Sequence, residues 1–358
     1  MPERLISADS HVRITADWVR ERLPVQAIDS YNDAVATLEA IELEQRGGKR
    51  QQLEDFADMA PGAADPGYWD PKARLAAMDR DGVHAEVLYS ELSAFRQFPL
   101  AGEHWKEVAR AFNDSLADFC SIDPTRLVAS YQVPILDIDH AVAEVQRLAA
   151  LGARSVHLPN YPAELGHPDY FDSRYDPLWA ALSETDLVIS QHIGLKNTLF
   201  DVYVRDPTPY KSIFTSLPTL MLVENISFWI MTGLLERFPA LRIAFVEPGI
   251  EYVVMWLRRL DGQFKHSGER LFPGVKKLPS EYFREQMFLT FVGGDSEGLS
   301  LRHEVGVENI LWSTDFPHPG SSWPHSRESV DRLFVDIPPD ERQLIVAGNA
   351  SRLYGLSA

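Results

Sequence analysis

The sequence of 358 residues predicts a (β/α)₈ barrel of the TIM type. Eight short apolar or β-branched runs recur along the chain, and amphipathic segments separate many of them. Strands that alternate with helices imply parallel pairing through crossovers, and eight such units favour a closed barrel over an open sheet. We therefore expect one barrel domain over residues 1–358.

The predicted strands share an apolar core sequence and a polar carboxyl end. In chain order they span residues 5–8, 85–89, 127–133, 153–158, 187–191, 241–246, 287–292 and 309–313. The clearest predicted helices span residues 104–120, 138–151, 177–184 and 250–264. In a barrel of this kind the catalytic groups lie at the carboxyl ends of the strands, so the polar residues there are the first candidates for a site.

Two stretches are too long for simple connections. Residues of about 13–70 follow the first strand, are highly charged, and predict a helical insertion with a mobile loop. Residues of about 195–218 follow the fifth strand and therefore overhang the active rim. We expect this second stretch to be a lid loop, in which Tyr203 and Arg205 are candidates for substrate contact.

The composition of the chain indicates which kinds of binding partner to expect. Lysine and arginine number 34 against 52 acidic residues, which gives a formal charge of −18, so nucleic acid and anionic membranes are not expected partners. The single cysteine, Cys120, cannot form an internal disulfide, and no secretion signal opens the sequence. No uninterrupted apolar run is long enough to span a bilayer. These features predict a cytoplasmic protein that acts on a small molecule.

Four residues at predicted strand ends have the chemistry of a metal site. Asp9 and His11 end the first strand, His192 ends the fifth, and Asp315 follows the eighth. A buried carboxylate needs a partner, and carboxylate with imidazole is a donor set that one divalent ion takes while keeping a position open. We expect zinc, with manganese or iron as alternatives. The alternatives to ligation are a surface turn at Asp9 and His11, a core histidine at 192, and a turn cap at Asp315.

Three further rim residues have open roles. Glu247 precedes Pro-Gly, so it either carries a proton at the site or only begins the next helix, where negative charge is favoured. His157 ends the fourth strand and either contacts substrate or bonds to a backbone carbonyl. His318 either orients Asp315 and closes the pocket or caps a loop.

Several motifs in fixed order resemble the amidohydrolase-related family, which includes aminocarboxymuconate-semialdehyde decarboxylase and γ-resorcylate decarboxylase. The motifs are Asp-x-His near the start, a histidine after the fifth strand, the segments at 237–249 and 313–318, and Gly-Asn-Ala-Ser-Arg-Leu-Tyr-Gly at 348–355. The resemblance implies a barrel with one divalent metal held at Asp9, His11, His192 and Asp315. It also implies a histidine where this chain has Glu247, because the decarboxylases of the family usually carry histidine there.

The departure at Glu247 leads us to expect hydrolysis rather than decarboxylation. A metal-activated water would attack an amide, lactone or ester of a small cyclic or aromatic substrate, with Asp315, Glu247 and His192 as the catalytic residues. The alternative is a non-oxidative decarboxylase of an aromatic or muconate-type acid. A metal-dependent binding protein without catalysis is the third possibility.

Aromatic residues on the helices are relevant to the oligomeric state of the protein. Phe228, Trp229, Phe238 and Trp256 lie on helical segments and are typical of either the core or a subunit interface. We expect a homodimer or a higher homo-oligomer.

Overall fold

The computed structural model describes residues 3–45, 61–90, 94–193, 197–208, 211–293 and 296–357, and it confirms the predicted barrel. Eight strands form one parallel sheet in which each strand pairs with the next along the chain. The strands, β1 to β8, are Leu5–Val12, Val83–Ser90, Leu127–Gln132, Ser155–His157, Val188–His192, Ile243–Val246, Met287–Phe291 and Ile310–Trp312. Every predicted strand overlaps an observed one.

Strand β1 is longer than the sequence predicts and is irregular where the site begins. It continues to Val12, and its pairing with β2 shifts between Ser7 and Ser10. Such an irregularity redirects side chains, and bulges of this kind occur beside active sites. Asp9 therefore lies within an irregular segment of the strand rather than after its end.

Backbone hydrogen bonds join β1 to the segment after β8. Asp315 N–H donates to the Asp9 carbonyl at 3.0 Å, and His11 N–H donates to the Phe316 carbonyl at 2.5 Å. The Ser7 hydroxyl also accepts from Thr314 N–H at 2.9 Å. These bonds bring the first and last strands of the sheet together.

The helices surround the sheet. In chain order α1 to α18 are Ala16–Arg20, Val25–Gln45, Pro71–Asp81, Ala94–Leu100, Trp105–Cys120, Ile138–Ala150, Asp176–Ser183, Asn197–Arg205, Ser212–Thr215, Pro218–Met231, Leu234–Arg237, Ile250–Ser267, Pro279–Gln286, Ser296–Leu299, Arg302–Val305, Ser326–Leu333, Pro339–Gln343 and Asn349–Tyr354. All four helices predicted most clearly are among them.

Local sequence explains where these helices begin and end. For α3, the Asp70 side chain accepts a hydrogen bond from Ala73 N–H, and Pro71 occupies the first helical position. Gly82 follows the helix with φ of 74°, the left-handed conformation that glycine adopts at low cost. The Asp137 side chain caps α6 in the same way, by accepting from His140 N–H.

The predicted insertion after β1 is helical. It contains α1 and α2, and its buried residues, including Tyr31, pack with Phe98 and Phe112 in a second apolar cluster beside the barrel core. The mobile loop expected within this insertion stays a prediction, because residues 46–60 lie outside the described residues.

The predicted lid loop differs from expectation because most of its described part is helical. Helices α8 and α9 occupy it, and α10 begins at Pro218. The apolar residues of the segment explain the difference, since Leu199, Tyr203 and Phe214 form a small buried cluster of their own. Residues 195–196 and 209–210 lie outside the described part.

One helical stretch of the described residues, Ser212–Met231, is long and apolar enough to cross a membrane, although its sequence is not an uninterrupted apolar run. This is weak evidence, because a core helix of a soluble protein passes the same test. Leu222, Ile226 and Trp229 of this stretch are buried in the main core.

Candidate metal centre and active site

The structure brings Asp9, His11 and His192 together at the carboxyl ends of β1 and β5. Asp9 Oδ1 lies 3.3 Å from His192 Nε2 and 3.5 Å from His11 Nε2. The two Nε2 atoms are 3.2 Å apart, and all three side chains are buried. One ligand atom from each residue lies within 4.8 Å of the others, close enough to share a single ion.

Asp315 joins the same group from the segment after β8. Its Oδ1 atom lies 3.5 Å from His11 Nε2 and 2.8 Å from His318 Nδ1. Burial raises the pKa of this carboxyl, but the neighbouring imidazoles of His318 and His11 outweigh burial, so the pKa lies below its usual range. Asp315 is thus a carboxylate at neutral pH.

Asp9 shows that these residues fit a metal ion. Its side chain is fully buried, yet neither of its oxygens makes a hydrogen bond within the described part of the chain. Burial raises the pKa of Asp9, with partial opposition from His192. A buried carboxyl without a hydrogen-bond donor is costly, and a cation at this position would compensate it.

The two histidines present suitable nitrogens. His192 Nδ1 lies 2.9 Å from the Ile193 carbonyl oxygen, so we assign the proton to Nδ1, which leaves the Nε2 lone pair for an ion. Burial lowers the pKa of His11 well below its ordinary value, so this imidazole is neutral. Neutral imidazole with carboxylate is a common donor set for divalent metals.

Glu247 also faces this centre. It follows β6, and its backbone N–H donates to the Thr290 hydroxyl at 2.9 Å. Carboxylate oxygens of Asp9, Glu247 and Asp315 lie within 4.8 Å of one another. The structure therefore adds a third carboxylate to the four residues expected to bind the ion.

The other two predicted histidines occupy different positions around the centre. His157 is buried, and its ring packs edge-on against Tyr89 and Phe95 at centroid distances of 5.9 and 5.2 Å. Burial lowers its pKa well below the ordinary value, so it is neutral. His318 is one-third exposed, at 33%, and its ring lies 4.0 Å from that of His11.

Tyr203 and Arg205 lie on α8. Tyr203 packs edge-on against Phe214 at 5.0 Å, and the Lys211 ammonium lies 5.1 Å from its ring centroid. Arg205 is exposed. Their predicted contact with substrate stays a prediction.

Three residues that sequence reasoning missed contact the candidate ligands. The Arg74 guanidinium donates to the His11 carbonyl at 2.8 Å and pairs with Glu86. The Asn160 amide donates to the His192 carbonyl. Tyr89 packs against His192 at 5.1 Å. Tyr89 and Asn160 could have been identified from the sequence, because they lie at or just after the polar ends of β2 and β4. Arg74 lies on a helix, and no sequence feature indicated that it contacts the site.

Comparison with known proteins bears on the chemistry of this centre. The chain is 26% identical over 340 residues to gamma-resorcylate decarboxylase of Rhodococcus jostii, covering 88% of this chain and 98% of the relative. The 5-carboxyvanillate decarboxylase of Sphingomonas paucimobilis shares the fold, with a TM-score of 0.73, 22% identity and 99% coverage of both chains. The dihydroxybenzoic acid decarboxylase of Polaromonas sp. JS666, solved with manganese and 2-nitroresorcinol, has a TM-score of 0.68 at 20% identity, covering 99% of this chain and 97% of that one.

These relatives show that the expectation of a hydrolase is wrong. They are decarboxylases, which match the alternative considered from the sequence. The error came from reading the carboxylate at position 247 as a proton carrier for a leaving group. A carboxylate beside two others serves equally well to hold a cation, so it does not distinguish hydrolysis from decarboxylation.

The family assignment rests on nearly the whole chain. The amidohydrolase family model matches residues 8–356, from the irregular part of β1 to two residues past the last helix. The match includes every candidate ligand discussed above. The chain belongs to the amidohydrolase family and is an enzyme of the amidohydrolase superfamily.

Proposed function

We propose that this protein is a metal-dependent, non-oxidative decarboxylase of an aromatic acid of the hydroxybenzoate type. The observation that carries the proposal is the Asp9 carboxylate, buried without a hydrogen bond from the described residues and facing two histidine nitrogens. The relatives that match most of the chain, gamma-resorcylate decarboxylases, support this reaction and class of substrate.

Asp9, His11, His192 and Asp315 are the residues we propose to hold one divalent ion. When bound, such an ion supplies positive charge that orients an anionic substrate and stabilises charge that develops during the reaction. Manganese in related structures supports a divalent ion of this kind. Zinc, our first expectation, has no specific support.

The protein's own contribution to the reaction is to deliver a proton. Decarboxylation breaks the bond between the ring and the carboxylate carbon, and its electron pair stays on the ring carbon as carbon dioxide leaves. A proton then bonds to that ring carbon. His318 is partly exposed and its Nδ1 lies 2.8 Å from Asp315 Oδ1, so the pair provides a path from solvent to the buried centre.

The deciding experiment measures products. Purified protein is incubated with a panel of hydroxybenzoates and, separately, with aryl esters, lactones and aryl amides. We expect carbon dioxide and the corresponding phenol in equal amounts from at least one hydroxybenzoate, with loss of activity after chelation and recovery with Mn²⁺. Asp9→Asn serves as the matched inactive variant. Hydrolysis of an ester, lactone or amide without carbon dioxide release would refute the proposal.

A further inference from the structure

Glu247 and Asp315 share an unusual backbone conformation. Their φ angles are 67° and 53°, and Lys211 is the one other non-glycine residue with positive φ among those the structure describes. This left-handed region is costly for side chains larger than glycine, and residues held in it cluster at functional sites. Both residues follow strands, β6 and β8, at the rim that carries the candidate ligands.

The surroundings fix the direction of Glu247. Its backbone N–H donates to the Thr290 hydroxyl, which extends from β7. In this conformation one of its carboxylate oxygens comes within 4.8 Å of oxygens from both Asp9 and Asp315. Two ligands on opposite sides of one ion, at bonds of about 2.2 Å, are about 4.4 Å apart, so a small adjustment would let all three carboxylates share an ion.

Three carboxylates, those of Asp9, Glu247 and Asp315, meet at one point of the rim. Asp9 is fully buried and makes no hydrogen bond through either oxygen within the described residues. Three carboxylates at these separations repel one another strongly in a buried setting, and a cation bound between them would remove that repulsion.

We propose that Glu247 is a fifth protein ligand of the divalent ion, in addition to Asp9, His11, His192 and Asp315. Compared with the other four ligands alone, the resulting set of three carboxylates and two imidazoles strengthens Mn²⁺ binding more than Zn²⁺ binding. Catalytic zinc sites usually have three protein ligands in tetrahedral geometry, whereas oxygen-rich sites of higher coordination suit harder ions such as Mn²⁺. The inference rests on the divalent ion of the proposed function and is independent of the substrate.

Metal affinity of the full-length protein tests the assignment without relying on activity. Apoprotein is titrated with Mn²⁺, with free Mn²⁺ measured by electron paramagnetic resonance, and with Zn²⁺ in competition with a chromophoric chelator. The variants are Glu247→Gln and Glu247→His. Glu251→Gln is the control, because it removes a neighbouring carboxylate that belongs to none of the metal-competent groups found in the described residues.

We expect Glu247→Gln to weaken Mn²⁺ binding by about 10-fold or more and Zn²⁺ binding by less. Glu247→His should shift the preference toward Zn²⁺, and Glu251→Gln should bind both ions as the wild type does. The resonance spectrum of bound Mn²⁺ should change in both Glu247 variants. Circular dichroism checks folding, and if Glu247→Gln is misfolded, Glu247→His decides alone.

Two outcomes would overturn the assignment and have different meanings. Unchanged affinity, ion preference and Mn²⁺ spectrum in the folded Glu247 variants would show that Glu247 is not a ligand, while the proposed decarboxylase would stand. Failure of the wild type to bind either ion would remove both this inference and the metal dependence of the proposed function.

Discussion

The backbone N–H of Asp315 donates a hydrogen bond to the backbone carbonyl of Asp9 at 3.0 Å. The two residues are thus joined through the main chain, while their carboxylates face the same space at the rim. A second bond, from His11 N–H to the Phe316 carbonyl, flanks the first. The spacing of carboxylates from opposite ends of the chain is therefore fixed by backbone pairing and not only by side-chain rotamers, as precise ligation requires.

Replacing His192 by alanine should remove metal from the protein. Its Nε2 atom lies 3.3 Å from Asp9 Oδ1, and loss of an imidazole donor should lower metal affinity by at least about 100-fold. Metal content after dialysis, measured by mass spectrometry, provides the readout. His157→Ala is the matched control, because His157 is also buried near the centre but belongs to no metal-competent group of described residues. Equal metal content in the two variants would contradict the ligand assignment.

The buried pair of Arg74 and Glu86 should be important for stability. Arg74 Nε lies 2.5 Å from Glu86 Oε2, and both side chains are almost fully buried. Arg74→Met would leave Glu86 buried without its partner, which should cost about 3–5 kcal/mol in the free energy of unfolding measured with urea. Arg258→Met is the control, since its pair with Glu304 is exposed and should contribute at most about 1 kcal/mol. Similar losses in the free energy of unfolding in both variants would show that burial of the pair does not increase its contribution to stability.

Sequence patterns predicted the barrel because strand and helix periodicity are local properties. They also indicated Asp9, His11, His192 and Asp315, since polar residues at the carboxyl ends of parallel strands meet at one rim. They did not predict the left-handed backbone of Glu247, which depends on a hydrogen bond to the next strand. Contacts of this kind join residues far apart in sequence, so no local pattern reports them.

The Asp206 carboxylate accepts hydrogen bonds that stabilise the segment predicted as a lid. Burial acts against ionisation, but hydrogen bonds from Thr208, Phe214 and Ile213 outweigh it and lower the pKa of Asp206 to about 2. Because the folded pKa is below the unfolded value of about 3.9, this carboxylate stabilises the segment above pH 4. Its contribution is lost as the pH falls toward 2.

Asp206→Asn should therefore speed amide hydrogen exchange across residues 206–208 and 211–217 at pH 7. The difference between variant and wild type, corrected for intrinsic exchange rates, should shrink between about pH 4 and pH 2. Asp201→Asn is the control, because Asp201 is exposed on the preceding helix. A difference that persists unchanged at pH 2 would show that charge on Asp206 does not hold the segment. If the segment is also a lid, substrate preference should change in Asp206→Asn while metal content does not.

His318 should control the rate of proton delivery rather than metal binding. Its Nδ1 lies 2.8 Å from Asp315 Oδ1, and its partial exposure connects the pair to solvent. His318→Gln keeps a polar side chain but removes the titrating imidazole, so decarboxylation should slow by about 10²-fold or more, in line with loss of general acid and base assistance. Metal content should remain that of the wild type, because His318 is not among the proposed ligands, although one of its ring nitrogens lies within 4.8 Å of ligand atoms of His11 and Asp315. The control is His325→Gln, which replaces an exposed histidine paired with Glu328 and should leave the rate unchanged.

Solvent isotope effects test whether His318 itself carries the proton. If it does, the ratio of the decarboxylation rates in water and in deuterium oxide should differ between His318→Gln and the wild type. An unaltered rate and isotope effect would instead assign the proton path to another residue.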